Sequence, residues 1–175
     1  MRIVTERLIL RPPTLKDAVD IVENVNNLNV SRYLALVPYP YSIKDARFFI
    51  KLSKKNPHNF GICLKSTGKL IGMIGLMNLN EFIKRAELGY WLGEKYWRQG
   101  LGTESVQAIV KYSFKKLKLV RLQAGVAVEN KPSAKLLKKA GFKKEGLRRQ
   151  SMRAKSTGKW HDTYHFGLLR SDVKL

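Results

Sequence analysis

Between Ala86 and Leu92 the chain alternates: Arg85, Glu87 and Trp91 fall on one side, Ala86, Leu88, Tyr90 and Leu92 on the other. A period of two is that of a half-buried strand. A short basic turn follows, Arg98-Gln99-Gly100-Leu101-Gly102-Thr103, and then Val106, Ile109, Val110, Ser113 and Leu117 recur at helical spacing. Upstream, Leu8 and Leu10 alternate with charges in a first strand, Glu6 to Arg11. Thr14 with Asp17, and Ser42 with Asp45, have the spacing of capping pairs, predicting one helix through about Val25 and a second with Ile43, Ala46, Phe49 and Ile50 on its apolar face. Between them lies an irregular piece, residues 26–41, with Pro38 and Pro40.

Phe60 to Leu64 and Leu70 to Met77 read as strands around Ser66-Thr67-Gly68. Beyond the central turn and helix, Leu122 to Val128 is another alternating strand. A short helix spans Pro132 to Ala140, with Gly141 placed to end it in the left-handed conformation. Glu145 to Arg153 and Trp160 to Leu169 form a hairpin across Ser156-Thr157-Gly158-Lys159. The order βααβββαβαββ predicts a single α/β domain over residues 1–175 with a mixed sheet, and no repeat or linker interrupts it.

Composition narrows the class. With 44% apolar residues the chain can bury a core. It lacks a secretory signal and any 18-residue apolar run, so no membrane partner is expected. The lone Cys63 excludes an internal disulfide framework and suits a reducing, cytoplasmic interior. Without an activating histidine it reads as a core residue. His58, His161 and His165 are scattered, so no metal is expected.

Charge is the unusual property, at +21. Residues 1–110 carry 16 basic and 9 acidic side chains, net +7; residues 111–175 carry 18 and 4, net +14. Such a field draws polyanions, including ribosomes, nucleic acid and nucleotide phosphates. A lysine-rich surface tuned for solubility explains it equally well. Either way a polyamine substrate would be repelled.

The glycine turn carries the candidate chemistry. Glycines at a strand-to-helix junction let backbone N–H groups approach a ligand, and the helix N-terminus adds partial positive charge, so the junction suits a phosphate. Arg98 would add a full charge. Alone the G-x-G is weak. It lies past the middle of the chain, where a dinucleotide fingerprint usually opens a domain, and no G-x-x-x-x-G-K-[ST] loop exists.

Its company strengthens it. G-Y-W-L followed by E-x-Y-W-R-Q-G-L-G-T-E resembles the pyrophosphate loop of the GNAT acetyltransferase superfamily, most closely the RimJ/RimL-like branch acting on ribosomal-protein N-termini. The superfamily's usual Gln or Arg at the loop's first position is Trp97 here, and that branch often carries an aromatic there. T-E-R-L-I-L-R-P, Thr5 to Pro12, and V-x-x-E-N-x-x-S-x-x-L-x-x-x-G-F, Val126 to Phe142, extend the resemblance over nearly the whole chain.

The resemblance implies a GNAT fold, its sheet mixed, mostly antiparallel and splayed at the cofactor site, with about four helices. It implies acetyl-CoA as donor. The backbone of Tyr90, Trp91 and Leu92 would meet the pantetheine arm and thioester. The amides of Arg98, Gln99, Gly100, Leu101, Gly102 and Thr103 would bind the pyrophosphate, and Asn130 the arm's amides. The thiolate-facing tyrosine common in the superfamily is replaced by Leu137, and Ser133 is the matching donor of the RimL-like branch. Among the acids, Glu87 alone lies on the central strand, which makes it the candidate proton acceptor for an attacking amine. Each has a structural alternative: Glu87 as a sheet-surface ion pair, Ser133 as a first-turn serine, Asn130 as a helix cap. Tyr33, Tyr39, Tyr41 and Trp160 would line an acceptor groove between residues 26–41 and the last hairpin.

Three functions stay open from sequence. They are acetylation of a protein or peptide N-terminus, with association with the ribosome; acetylation of a small amine; and a non-catalytic basic module on the same scaffold. The chain could act as a monomer or a homodimer.

Overall fold

Eight strands form one sheet in this computed structural model, which describes residues 1–174. They are β1 Ile3–Val4, β2 Leu8–Arg11, β3 Asn59–Leu64, β4 Leu70–Asn80, β5 Arg85–Leu92, β6 Arg121–Ala127, β7 Lys143–Arg153 and β8 Trp160–Leu169. Their spatial order is β1-β2-β3-β4-β5-β6-β8-β7, and the β5–β6 pair alone is parallel. Five helices join them: α1 Ala18–Val25, α2 Leu28–Ser31, α3 Ile43–Ser53, α4 Leu101–Lys115 and α5 Lys131–Lys139. Among the described residues no helix is long and apolar enough to cross a membrane.

The predicted punctuation holds. Asp45 accepts from the Ser42 N–H and hydroxyl at the start of α3. Asp17 accepts likewise from Thr14 and pairs with Arg11 at 2.7 Å, although its turn is a 3₁₀ turn that α1 continues. Gly141 closes α5 at φ +95°. Three boundaries differ. β1, two residues long, is too short to show periodicity. α2 interrupts the piece expected to be irregular. Its Leu-Asn-Val-Ser sequence is a poor helix former, held by the Asn27 side chain, which accepts from Asn29 N at 2.8 Å, and by the burial of Val30. The helix after the glycine turn starts at Leu101, so Gly102 and Thr103 lie inside its first turn.

The sheet carries a core on each face. Ala86, Leu88 and Leu92 of β5 pack with Val106, Ile109 and Phe114 of α4 and Leu137 of α5. On the other face Cys63, Leu70 and Met73 pack with Ile21, Ala46 and Ile50 of α1 and α3. Tyr41, expected in an acceptor groove, is buried in this second core, with its N–H on Asn26 Oδ1. It is packing, because the loop that carries it is pinned beneath α1. Cys63 is buried there too, and burial pushes its thiol up to about 11.

Candidate active site

The sheet opens next to the glycine turn. β5 and β6 pair only through Arg85–Arg121, Ala86–Leu122 and Glu87–Gln123. Beyond them β6 continues against β8 as far as Ala127, while β5 keeps β4 alone as its partner. The direction of the exposed main chain follows from the ladder. Gly93 N donates to Ile71 O, so Leu92 and Gly72 form a non-hydrogen-bonded pair and Trp91 exchanges its bonds with Met73. By alternation the N–H and C=O groups of Tyr90 and Leu92 turn away from β4 into the opening. This corrects one expectation: the Trp91 main chain is committed to β4 and cannot meet a ligand in the gap. Leu92 O is also occupied, accepting from Trp97 Nε1 at 2.7 Å. Tyr90 keeps both groups.

The turn presents bare donors. Arg98 (φ +59°) and Gly100 (φ +80°) adopt left-handed conformations. At Gly100, followed directly by helical Leu101, this makes successive N–H groups converge as in an anion-binding nest. First-turn amides have no acceptor within their own helix. Among the described residues, none of the N–H groups of residues 98–103 donates to another protein group. Arg98, Gln99 and Gly100 are exposed, so side chains do not fill the bend. Gly102 has a different reason to be glycine: a Cβ there would come 2.7 Å from Leu136 Cδ1, so its absence lets α4 and α5 pack closely.

A clamp holds the turn, and the sequence showed it only as the Thr5-to-Pro12 signature. Glu104, in the first turn of α4, accepts from Thr5 Oγ1 at 2.6 Å and from Arg7 N and Nε at 2.8 Å each. Arg7 Nη1 reaches on to Gln99 O at 3.0 Å. Burial would raise the Glu104 carboxyl, but the Thr5 and Arg7 hydrogen bonds outweigh it and hold the group below the usual range. Arg7 thus cancels a negative charge that would otherwise face an arriving anion.

Across the gap, Asn130 caps α5, its Oδ1 accepting from Ser133 N at 3.3 Å. The Nδ2 hydrogens have no protein acceptor among the described residues, so one side chain can serve both as cap and as donor to a ligand. Ser133 Oγ lies 2.7 Å from the Tyr90 hydroxyl, bridging β5 and α5. The Tyr90 side chain, as well as its main chain, thus reaches toward α5. Burial pushes its hydroxyl up to about 12, so it stays protonated and is a hydrogen-bond donor throughout the neutral range.

Glu87 lies on the opposite face from Tyr90, half-buried, and accepts from Asn78 Nδ2 at 3.1 Å. Near it Gly125 of β6 is exposed, with open space where a side chain would stand, and His165 of β8 pairs with Gly125. Burial and the Arg148 charge hold His165 below the ordinary histidine range.

The four aromatics do not form one groove. Tyr41 is in the core, and Tyr39 is 45% exposed at the loop surface. Trp160 is 53% exposed under the Arg153 guanidinium. Strand alternation turns it to the opposite side from its neighbour His161, which meets the Tyr33 ring edge-on at 5.8 Å.

An open gap with free main-chain groups, an unfilled nest of donors and an amide donor opposite fit the arm and diphosphate of coenzyme A. Comparison with known proteins agrees. The acetyltransferase (GNAT) domain family matches residues 7–143. Uncharacterized N-acetyltransferase p20 of Bacillus licheniformis is 38% identical over 173 residues, 96% of each chain. A solved Vibrio cholerae structure, described as a candidate ribosomal-protein-serine acetyltransferase, superposes with a TM-score of 0.81 at 29% identity, covering 97% of both chains. Spermidine N(1)-acetyltransferase of Escherichia coli is 27% identical over 138 residues, 78% of this chain and 73% of that protein.

Proposed function

This chain belongs to the GNAT acetyltransferase family, and we propose that it transfers an acetyl group from acetyl-CoA to a primary amine, specifically the N-terminal α-amine of a protein or peptide. The observation that carries the reading is the β5–β6 opening, with free Tyr90 main chain on one wall and Asn130 and Ser133 on the other, leading to the bare amides of residues 98–103.

Acetyl-CoA supplies the activated acyl group. The protein supplies position and proton handling. An amine attacks only when neutral, and an α-amino group, near 7.7–8.0, sheds its proton far more readily than a lysine near 10.4. Glu87 faces the side of the sheet opposite the Tyr90–Ser133 pair and takes the proton released as the new bond forms. The departing sulfur meets Tyr90 and Ser133. A hydroxyl near 12 cannot hand its proton outright to a thiolate whose conjugate thiol is near 8.5. That transfer is uphill by roughly 5 kcal/mol at about 1.4 kcal/mol per pKa unit. The pair therefore stabilises the sulfur by hydrogen bonding.

The ribosomal-protein description of the Vibrio cholerae neighbour and the +21 charge support a protein acceptor near an RNA-rich surface in the cytoplasm. The spermidine enzyme among the relatives supports a second reading, a small polyamine, which the same charge opposes. Mass spectrometry distinguishes them. Peptides beginning with Ser, Ala or Met, a lysine-containing peptide with a blocked N-terminus, and spermidine are each incubated with the enzyme and acetyl-CoA. Acetylation of α-amines is expected; acetylation of spermidine alone overturns the proposal.

A further inference from the structure

At the end of the sheet away from the gap, large apolar side chains lie in the open. The β5–β6 ladder begins at Arg85–Arg121 and ends at Glu87–Gln123, beside the opening. At its first pair a groove of about 780 Å³ is lined by Ile83, Val120 and Leu169 together with Arg85, Arg121 and Arg170. Ile83, Val120 and Leu169 are 41%, 52% and 42% exposed. Single apolar side chains at a surface are ordinary, but three lining one concavity mark a site of interaction.

The groove is prebuilt. Lys84 O accepts from Val120 N at 2.8 Å and from Arg121 N at 3.3 Å, and Arg170 N donates to Val120 O at 3.0 Å. These bonds tie together the turn before β5, the start of β6 and the end of β8, so an occupant meets a surface that needs no further ordering. All six of these lining residues except Arg121 are exposed. The groove is thus too open to enclose a small molecule and suits an extended segment.

Charge says what kind of segment. Arg85 and Arg170 have no acidic partner among the described residues, and no acidic side chain lines the groove. Glu145 of β7 and Asp172, in the turn after β8, are taken by Arg121 and Lys143. Arg121 shows the contact that the other two arginines lack. Its Nη1 and Nη2 donate to the two Glu145 oxygens, the paired geometry that guanidinium and carboxylate prefer. A second copy of this chain, itself +21, would bring the same arginines against these in a two-fold contact. A nucleic acid answers the charge but offers nothing to cover the aliphatic side chains. A bilayer is flat where the groove is concave.

We infer that this groove docks an acidic segment of a partner protein. Its apolar side chains sit on Ile83, Val120 and Leu169, while its carboxylates pair with Arg85 and Arg170. The gap lies at the other end of the ladder, so a docked partner leaves the transfer site open. Docking does not depend on the chain's being a transferase.

The test is fluorescence anisotropy on the full chain at about 0.15 M salt, where exposed charges more than about 8 Å apart are largely screened. The probes are a labelled peptide of alternating Glu and Leu and an equally charged Glu/Ser peptide. The Glu/Leu peptide should bind saturably, and the Glu/Ser peptide at least about 10-fold more weakly. Arg85→Glu with Arg170→Glu should weaken the Glu/Leu peptide at least about 10-fold, since two charge-assisted contacts are lost. Val120→Ser with Leu169→Ser should weaken it comparably. Lys138→Glu with Lys139→Glu, exposed in the last turn of α5, changes the net charge equally and should cost no more than about 2-fold. All these positions are exposed, so melting curves should not move; if the arginine reversal moves them, Arg85→Gln with Arg170→Gln takes its place. No saturable binding, equal binding of the two peptides, or equal loss from both charge reversals overturns the proposal. So does binding of poly-uridine or phosphatidylserine vesicles through Arg85 and Arg170 without binding of the Glu/Leu peptide, which would assign the face to RNA or to a membrane. A dimer in sedimentation velocity that Val120→Ser with Leu169→Ser disperses would assign it to a second copy instead.

Discussion

Tyr90 and Ser133 offer the sharpest quantitative test, because 2.7 Å between two hydroxyls makes them one unit. In Ser133→Ala the largely buried Tyr90 hydroxyl keeps only Ser133 O at 3.4 Å, a poor contact. An orphaned buried hydroxyl costs about 1–3 kcal/mol. At about 2–4 °C per kcal/mol for a domain of this size, melting should fall by roughly 2–12 °C. In Tyr90→Phe the partner is half-exposed Ser133, which water can satisfy, so the hydrogen-bond loss is about 0.5–1 kcal/mol. The double variant leaves no orphan and should resemble Tyr90→Phe alone, a coupling equal to the Ser133→Ala cost, about 1–3 kcal/mol. Turnover should show the same coupling. A hydrogen bond to a charged sulfur is worth about 1.5–3 kcal/mol, or roughly 10- to 100-fold in kcat. Either single variant should lose that much, and the double no more than the worse single. The assay follows free thiol released from acetyl-CoA at saturating acceptor, beside melting curves of all four proteins. Losses in kcat that multiply to about 10³-fold or more, with additive melting shifts, would refute the pair as a unit.

Arg7→Ala removes the clamp on Gln99 O and leaves Glu104 facing the diphosphate. KM for acetyl-CoA should rise at least 5-fold with kcat little changed; an unaltered KM separates the clamp from binding. Glu87→Gln should cut kcat at neutral pH and matter less at alkaline pH, where the amine deprotonates unaided, so parallel pH–rate profiles would remove Glu87 as proton acceptor. Stability should fall on acidification. The Glu104 and Asp17 carboxyls are depressed in the folded chain, so their contribution is present above the unfolded values near 4 and is lost as pH falls through the lower folded values. Urea midpoints between pH 6 and pH 2.5 should show the loss, and Glu104→Gln should flatten the slope; a midpoint that rises on acidification contradicts the sign.

Much of this site was legible in one dimension. Ser42 and Asp45 announced α3, Gly141 ended α5, and Gly100 marked the bend, because each acts within a few residues of itself. Glu87 and Tyr90 were assigned to opposite faces by alternation, and the structure keeps them there. The misses at the site involved partners brought together from separate elements. Arg7 and Glu104 are 97 positions apart. Tyr41 looked like a groove aromatic because nothing nearby indicated that the loop folds under α1.

Periodicity, caps and turn residues set the identity and order of the long elements, since those preferences come from each segment's own main chain and side-chain spacing. The family likeness of the glycine turn was equally local. Tertiary structure alone decided where the β5–β6 ladder stops and which hydroxyl faces Ser133. Those facts depend on pairing and burial between distant strands, and the energy of a hydrogen bond exists only once both sides have been brought together.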